Sequence, residues 1–204
     1  MPVAQIEIGG GRMENLFHKY ATSLSAVISS QTWVEVENLA KAMYDTWENN
    51  RQLFLCGNGG SAGNAIHLAN DFLYGIASQS PRPGMKVEAL SANSAVLTCL
   101  GNDVGYSEIY AEQLLAKANS GDLLIVLSGS GNSPNVLRAL EVGNSIGMKT
   151  FAILGYTGGR CRELAQFPVH FEVNDMQISE DLQLIVGHMC MQWLCEKVTN
   201  SAAV

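Results

Sequence analysis

Two short runs of small polar residues, each wedged between an apolar strand and a helix, constrain most strongly what this chain can fold into. The first is Cys56-Gly57-Asn58-Gly59-Gly60-Ser61, after the apolar run Gln52–Cys56. The second is Ser128-Gly129-Ser130-Gly131-Asn132-Ser133-Pro134, after Leu123–Leu127. Further apolar runs at Val87–Leu90, Thr150–Leu154 and Val169–Val173 alternate with helical segments near 61–75, 94–101, 107–118, 134–146, 158–166 and 179–197. Such alternation predicts an α/β fold whose parallel sheet is flanked by helices on both faces. Ser78–Gly84 reads as a flexible loop, and there is no internal repeat.

Ahead of this core lies an N-terminal helical pair. Residues 1–11 read as loose and end in three glycines. Met13, Phe17, Tyr20, Leu24 and Val27 then recur at helical spacing, as do Trp33, Val36, Ala40, Met43 and Trp47. Thr32 and Glu35 fit a capping box for the second helix. Each stripe is one apolar face, which either packs on its own domain or joins a bundle between subunits. The expectation is a single domain over 1–204, with helices in 1–50 available for self-association and the α/β core in 51–200.

With 204 residues, 47% of them hydrophobic, the chain can bury a sizeable core. No run of 18 apolar residues suggests a transmembrane helix, and the N-terminus does not read as a signal peptide. The five cysteines, Cys56, Cys99, Cys161, Cys190 and Cys195, are odd in number and lack CxxC spacing. They read as reduced, mostly buried thiols of a cytoplasmic protein. A net charge of −7 disfavours a nucleic-acid backbone as partner and means that an anionic ligand needs local donors.

Both loops supply such donors. Glycines let the backbone turn tightly and approach a ligand, and a following helix start offers free N–H groups and a positive dipole end. Asn58 and Ser61 add side-chain donors to the first loop. It is not a GxGxxG fingerprint and no acidic residue follows at the right distance, so a dinucleotide site is not expected. In the second loop, Ser133 suits an N-cap and Pro134 the first helical position, with three serine hydroxyls converging at one helix start. That chemistry suits a phosphate dianion without a lysine.

His67 and Asp71 are four residues apart and share a helix face. His188 lies in the last helix, with Glu180 and Asp181 eight and seven residues before it, close to its face. Gln183, five residues before it, points well away. Two histidines and two carboxylates suit a zinc-like divalent ion. Two plainer readings stand beside this one: His67 as a satisfied core histidine, and Glu180 and Asp181 as first-turn acids behind a Ser179 N-cap. His18 reads as a helix-surface residue and His170 as part of a strand.

The segments CGNGGSAGNAIHLANDF, LTCLGND, VLSGSGNSPNV and ISEDLQLIVGHMC together resemble the bacterial phosphoheptose isomerases, and the resemblance runs over residues 12–197. It implies the sugar isomerase (SIS) fold, with a five-stranded parallel sheet flanked by helices, assembled as a homotetramer with sites between subunits. It also implies phosphate binding by Ser128, Gly129, Ser130 and Ser133, and sugar contacts at Asn58, Gly59, Gly60 and Ser61. Asn93, Asp103 and Glu180 fall at further substrate-binding positions. The family's metal and catalytic group corresponds to His67, Asp71, Glu180 and His188. Three positions depart from the family pattern: Asp71 replaces a glutamate, Glu180 a glutamine and Asn93 an aspartate. A carboxylate one methylene shorter stands ~1 Å further from the sugar unless the helix shifts.

The implied activity is an aldose–ketose isomerase converting sedoheptulose 7-phosphate to D-glycero-D-manno-heptose 7-phosphate by C1/C2 proton transfer through an enediol. Asp71 and His188 are its catalytic pair and zinc its expected ion. An isomerase for a different phosphosugar is one alternative, and a non-catalytic SIS scaffold for a replication-initiator protein is another. A sugar-phosphate sensor would carry a DNA-binding module, and no basic helix-turn-helix segment is present.

Overall fold

A computed structural model describes residues 10–79 and 82–201, and divides the chain into one unit up to Thr32 and a second from Trp33 onward. The first unit holds a single helix, α1 (Gly10–Ser29), on which Leu16 and Phe17 are exposed. Residues 1–9 of the segment read as loose lie outside the described residues, whereas Gly10 and Gly11 begin α1.

The second unit runs α2 (Val34–Glu48), β1 (Gln52–Gly57), α3 (Gly60–Asn70), a π-helical turn (Asp71–Gly75), a 3-10 turn (Ala77–Gln79), β2 (Lys86–Ala89) and α4 (Ser94–Asp103). It continues through a 3-10 turn (Tyr106–Glu108), α5 (Ala111–Lys117), β3 (Leu123–Ser128), α6 (Pro134–Ile146), β4 (Lys149–Leu154), α7 (Cys161–Leu164), β5 (Phe167–His170) and α8 (Met176–Ser201). The five strands are all parallel, in the order β2-β1-β3-β4-β5. β3 is buried at every residue, and β1 and β4 at all but their first, as two-sided helix coverage demands. Alternate strand residues serve opposite faces. Phe54, Cys56, Leu124, Val126, Ala152 and Leu154 join one core with residues of α5, α6 and α7. On the other face α2, α3 and α8 pack together over the sheet.

The strand order has a functional consequence. After β1 the chain crosses to β2 on one side, then returns to β3 on the other, so the crevice beyond the carboxyl ends of β1 and β3 is the topological switch point. Both polar loops leave the sheet there, one after Gly57 and the other after Ser128.

Several local expectations shift. The capping box at Thr32 does not form: α2 begins at Val34 behind Trp33, which sits in the left-handed region at φ 62 with no side-chain cap bond. Ser179 is not an N-cap, because α8 starts three residues earlier. Asp175 accepts the Ile178 amide at 3.1 Å instead, while the Ser179 hydroxyl donates back to the Asp175 carbonyl. β5 ends at His170 rather than Val173. The stripe on α2 faces its own domain, burying Val36, Ala40, Met43 and Trp47.

The cysteines are free. Cys99 is exposed and the others are buried. Burial pushes the thiols of Cys161 and Cys190 up to about 12 and that of Cys56 higher still. Met43 has no exposed surface and anchors α2. Met43→Ala leaves a cavity at that seam and is expected to lower unfolding stability by ~2–5 kcal/mol, read as a fall in the urea midpoint with little change in slope.

Candidate functional site

The glycine loop is shaped by residues that only glycine satisfies. Gly59 sits at φ 55 and ψ −122, a conformation closed to L side chains, and hands the chain into α3. Asn58 forms a reciprocal amide pair with Asn135 at the start of α6, both bonds 2.8 Å. Its oxygen also accepts the Tyr106 hydroxyl at 3.3 Å, so one amide N–H is left for a ligand. Below the loop, the Tyr110 hydroxyl donates to the Gly57 carbonyl. This tie between β1, the 3-10 turn and α6 was not read from the sequence, because Asn135, Tyr106 and Tyr110 meet Asn58 only through the fold.

The serine loop is folded by its own hydroxyls. Ser128 Oγ accepts the Gly131 amide at 3.0 Å and Ser130 Oγ accepts the Asn132 amide at 3.4 Å. An accepting hydroxyl keeps its own proton to donate. Ser133 stands at the N-cap of α6 without a side-chain cap bond, which leaves its hydroxyl uncommitted to the helix. Gly131 at φ 66 lies so close to the Gly158 carbonyl that a Cβ would stand 1.9 Å from it, which locks the loop against the turn after β4.

Helix α8 runs past both loops in order. A Cβ on Gly129 would meet Met176 and Ser179, and one on Gly60 would stand 2.3 Å from the Glu180 carboxylate. Further along, Gln183 reaches Ser61 and His188 reaches His67. From Ser179 to His188 is nine residues, or ~14 Å of helix. The serine loop and the imidazoles therefore lie along one helix.

At the far end three groups converge. His67 Nε2 and His188 Nε2 are 3.1 Å apart, and Asp71 Oδ2 lies 3.3 Å from the first and 3.4 Å from the second. The rings are about half exposed and the carboxylate side chain 18% exposed, so the acceptor sits behind two imidazoles open to a ligand. Asp71 Oδ1 accepts a long bond from Asn70. The helix passes from α to π at Asp71, whose carbonyl accepts the Ile76 amide.

These three donors form a possible metal site. A tetrahedral ion with ligand bonds of ~2.0–2.1 Å holds neighbouring donor atoms ~3.3 Å apart, and the observed triangle has that size. Two imidazole nitrogens, one carboxylate oxygen and an open fourth direction also fit a catalytic rather than a structural ion. Glu180 falls outside this triangle, with its carboxylate against Gly60.

The other residues singled out in the sequence are more dispersed. Asn93 caps α4, its Oδ1 accepting the amides of Ala95 and Val96. Asp103 is at the opposite end of that helix, where Asn102 donates to Oδ1 and the Cys99 thiol to Oδ2. His18 is on the surface of α1 and His170 on β5, as expected.

Comparison with known proteins places these observations. The SIS domain family matches residues 16–155. The phosphoheptose isomerase of Chlorobaculum parvum is 34% identical over 188 residues, 90% of this chain and 90% of that protein. That of Aliarcobacter butzleri is 36% identical over 165 residues, covering 81% and 84% of the two chains. Among solved structures, a phosphoheptose isomerase from Francisella tularensis superposes with a TM-score of 0.84 at 26% identity, covering 91% of this chain and 98% of that one.

The Asp103 carboxylate holds the Cys99 thiol above its ordinary range, by accepting its hydrogen bond and by its charge. Alkylation of native protein is expected at Cys99 first, with a rate that climbs through an elevated pH because the thiolate is scarce below it. Asp103→Asn should move that rate profile to lower pH, measured by mass spectrometry of iodoacetamide adducts.

Proposed function

The chain belongs to the SIS domain family, and from that premise we propose that it is an isomerase interconverting sedoheptulose 7-phosphate and D-glycero-D-manno-heptose 7-phosphate. The observation that carries this reading is the triangle of His67, Asp71 and His188, reached along α8 from a loop of hydroxyl donors. A scaffold that only binds a partner protein has no use for two open imidazoles aimed at one carboxylate oxygen.

In this proposal the phosphate is held by Ser128, Ser130 and Ser133 with the Gly129 backbone, at the positive end of α6. Asn58, Ser61 and the backbone of Gly59 and Gly60 face the sugar, with Glu180 beside them and Asn93 and Asp103 as further substrate contacts. Asp71 takes the proton from one of the two carbons and returns it to the other. Its Oδ1, which takes no part in the triangle, is the atom for that transfer. With no ion on its Nε2, His188 serves the oxygens, giving a proton to the carbonyl as the enediol forms and removing one from the neighbouring hydroxyl; an ion held there would stand in for that proton. A divalent ion, zinc by its donor set, would be held by His67, Asp71 and His188, and when bound would polarise the substrate oxygens. The family's glutamine position, here Glu180, belongs to the sugar side of this site, because its carboxylate rests on Gly60.

The same reading extends to assembly and place. We propose a homotetramer, with the exposed Leu16 and Phe17 of α1 as part of its apolar surface. Among the described residues no helix is long and apolar enough to cross a membrane, and the cysteines are free thiols. Both observations support a cytoplasmic enzyme.

Two measurements test the chemistry. Wild-type protein incubated with sedoheptulose 7-phosphate in deuterated water should place deuterium at the exchanging carbon, and His188→Gln should lower turnover by ~100-fold or more. Undiminished turnover by that variant would reject the assignment. Separately, calorimetry with zinc should show one ion per chain, with His67→Ala weakening it by ~100-fold or more. Unchanged affinity would remove the metal from the proposal.

A further inference from the structure

Gln183 takes no part in the chemistry above, yet it is a polar side chain only 1% exposed and it ends on the glycine loop. Its Nε2 lies 3.0 Å from the Oγ of Ser61, which is itself 4% exposed. Its Oε1 lies 3.0 Å from Asn64 Nδ2, and the same Nδ2 lies 2.9 Å from the backbone carbonyl of Glu180.

The direction of this chain of bonds is fixed from one end. A backbone carbonyl only accepts, so the nitrogen of Asn64 must face Glu180; the flipped amide would set two oxygens 2.9 Å apart. The Asn64 nitrogen therefore donates to the Gln183 oxygen as well. That orients the Gln183 amide with its nitrogen toward Ser61, whose oxygen must accept. A hydroxyl with an occupied lone pair still holds its proton, and among the described residues Ser61 has no acceptor for it.

We propose that Asn64 and Gln183 are positioning residues that fix the Ser61 hydroxyl as a hydrogen-bond donor toward an oxygen of the bound sugar phosphate. The pair makes the loop selective for an acceptor at that point, such as a carbonyl or a hydroxyl lone pair. The inference deepens the isomerase reading and rests on it for the identity of the ligand. The polarity of Ser61 follows from the protein alone.

The variant that reverses the relay is Gln183→Glu. A carboxylate of the same length accepts from Asn64 and also from Ser61, drawing the serine proton inward. The expected result is a rise of ~10-fold in KM for sedoheptulose 7-phosphate with kcat changed less than ~2-fold, the signature of lost ground-state binding. Ser61→Ala should raise KM by a similar factor. In the double variant, Gln183→Glu should add no further loss, because it acts through Ser61. If it costs as much in the Ser61→Ala background as in wild type, Gln183 merely holds two helices together and the proposal fails.

A second variant and a direct observation guard against misfolding. Gln183→Met removes the donor without supplying an acceptor, so KM should rise by a smaller factor, ~3-fold. An effect equal to that of Gln183→Glu would count against the relay. Neutron diffraction of the deuterated wild-type protein reads the polarity itself. A deuteron on Ser61 Oγ directed away from Gln183 supports the proposal, and one directed at Gln183 overturns it. If wild-type enzyme turns over no sedoheptulose 7-phosphate, the isomerase reading falls, while the deuteron position still decides the relay.

Discussion

Helix α3 with the π turn that continues it, and helix α8, carry both imidazoles and the carboxylate, so their separation sets the distances within the triangle. They come close because small residues face the crossing. A Cβ on Gly187 would stand 2.3 Å from the Leu68 side chain, and one on Gly60 would overlap the Glu180 carboxylate. With nothing between the helices at these points, His67 and His188 bring their Nε2 atoms to 3.1 Å. Bulk added at either glycine would push the helices apart and spread the triangle beyond the span of one ion or one shared proton. The Asn64–Gln183–Ser61 bonds act in the same seam, and they specify register where apolar packing alone would tolerate sliding.

A second constraint is electrostatic. The chain carries −7 overall and offers the proposed phosphate no lysine or arginine in either loop. Attraction has to come from oriented dipoles at short range. Three of the loop serines share one arrangement: Ser128 and Ser130 accept from loop amides, and Ser61 accepts from Gln183. Each oxygen accepts from inside the protein, which leaves its proton to donate. Fixed donors at a helix start need no reorganisation when an anion arrives, whereas a flexible lysine would lose rotamer freedom.

Much of this was legible in the sequence because the relevant signals are local. The five strands, the positions of both loops and the pairing of His67 with Asp71 follow from periodicity and i,i+4 spacing, and the structure places each within a few residues. What escaped depends on contacts between distant segments. Gln183 is ~140° around the helix from His188, so helical geometry correctly turned it away from the imidazoles. Only the packing of α8 across the start of α3 shows that this other face meets Ser61, 122 residues earlier in the chain. The amide pair between Asn58 and Asn135 is of the same kind. Helix starts were misjudged where the cap was unusual. Trp33 adopts a left-handed conformation that aromatic residues rarely enter, and Asp175 displaces Ser179 as the group that closes the first turn of α8.

The shorter carboxylate at Asp71 shows how local and long-range effects combine. Losing a methylene should withdraw the acid from both imidazoles, yet Oδ2 stays within 3.4 Å of each. At that residue the helix leaves α geometry for a single π turn, and the turn ends at Gly75, where a Cβ would stand 2.4 Å from the Met191 side chain on α8. A π turn widens the helix and displaces the backbone locally, and it survives only where surrounding packing holds it. The contact with α8 supplies that packing. The backbone irregularity and the helix crossing together place the Asp71 carboxylate within reach of both imidazoles. The identity of the residue at 71 and the shape of the turn beneath it therefore act together in setting the triangle.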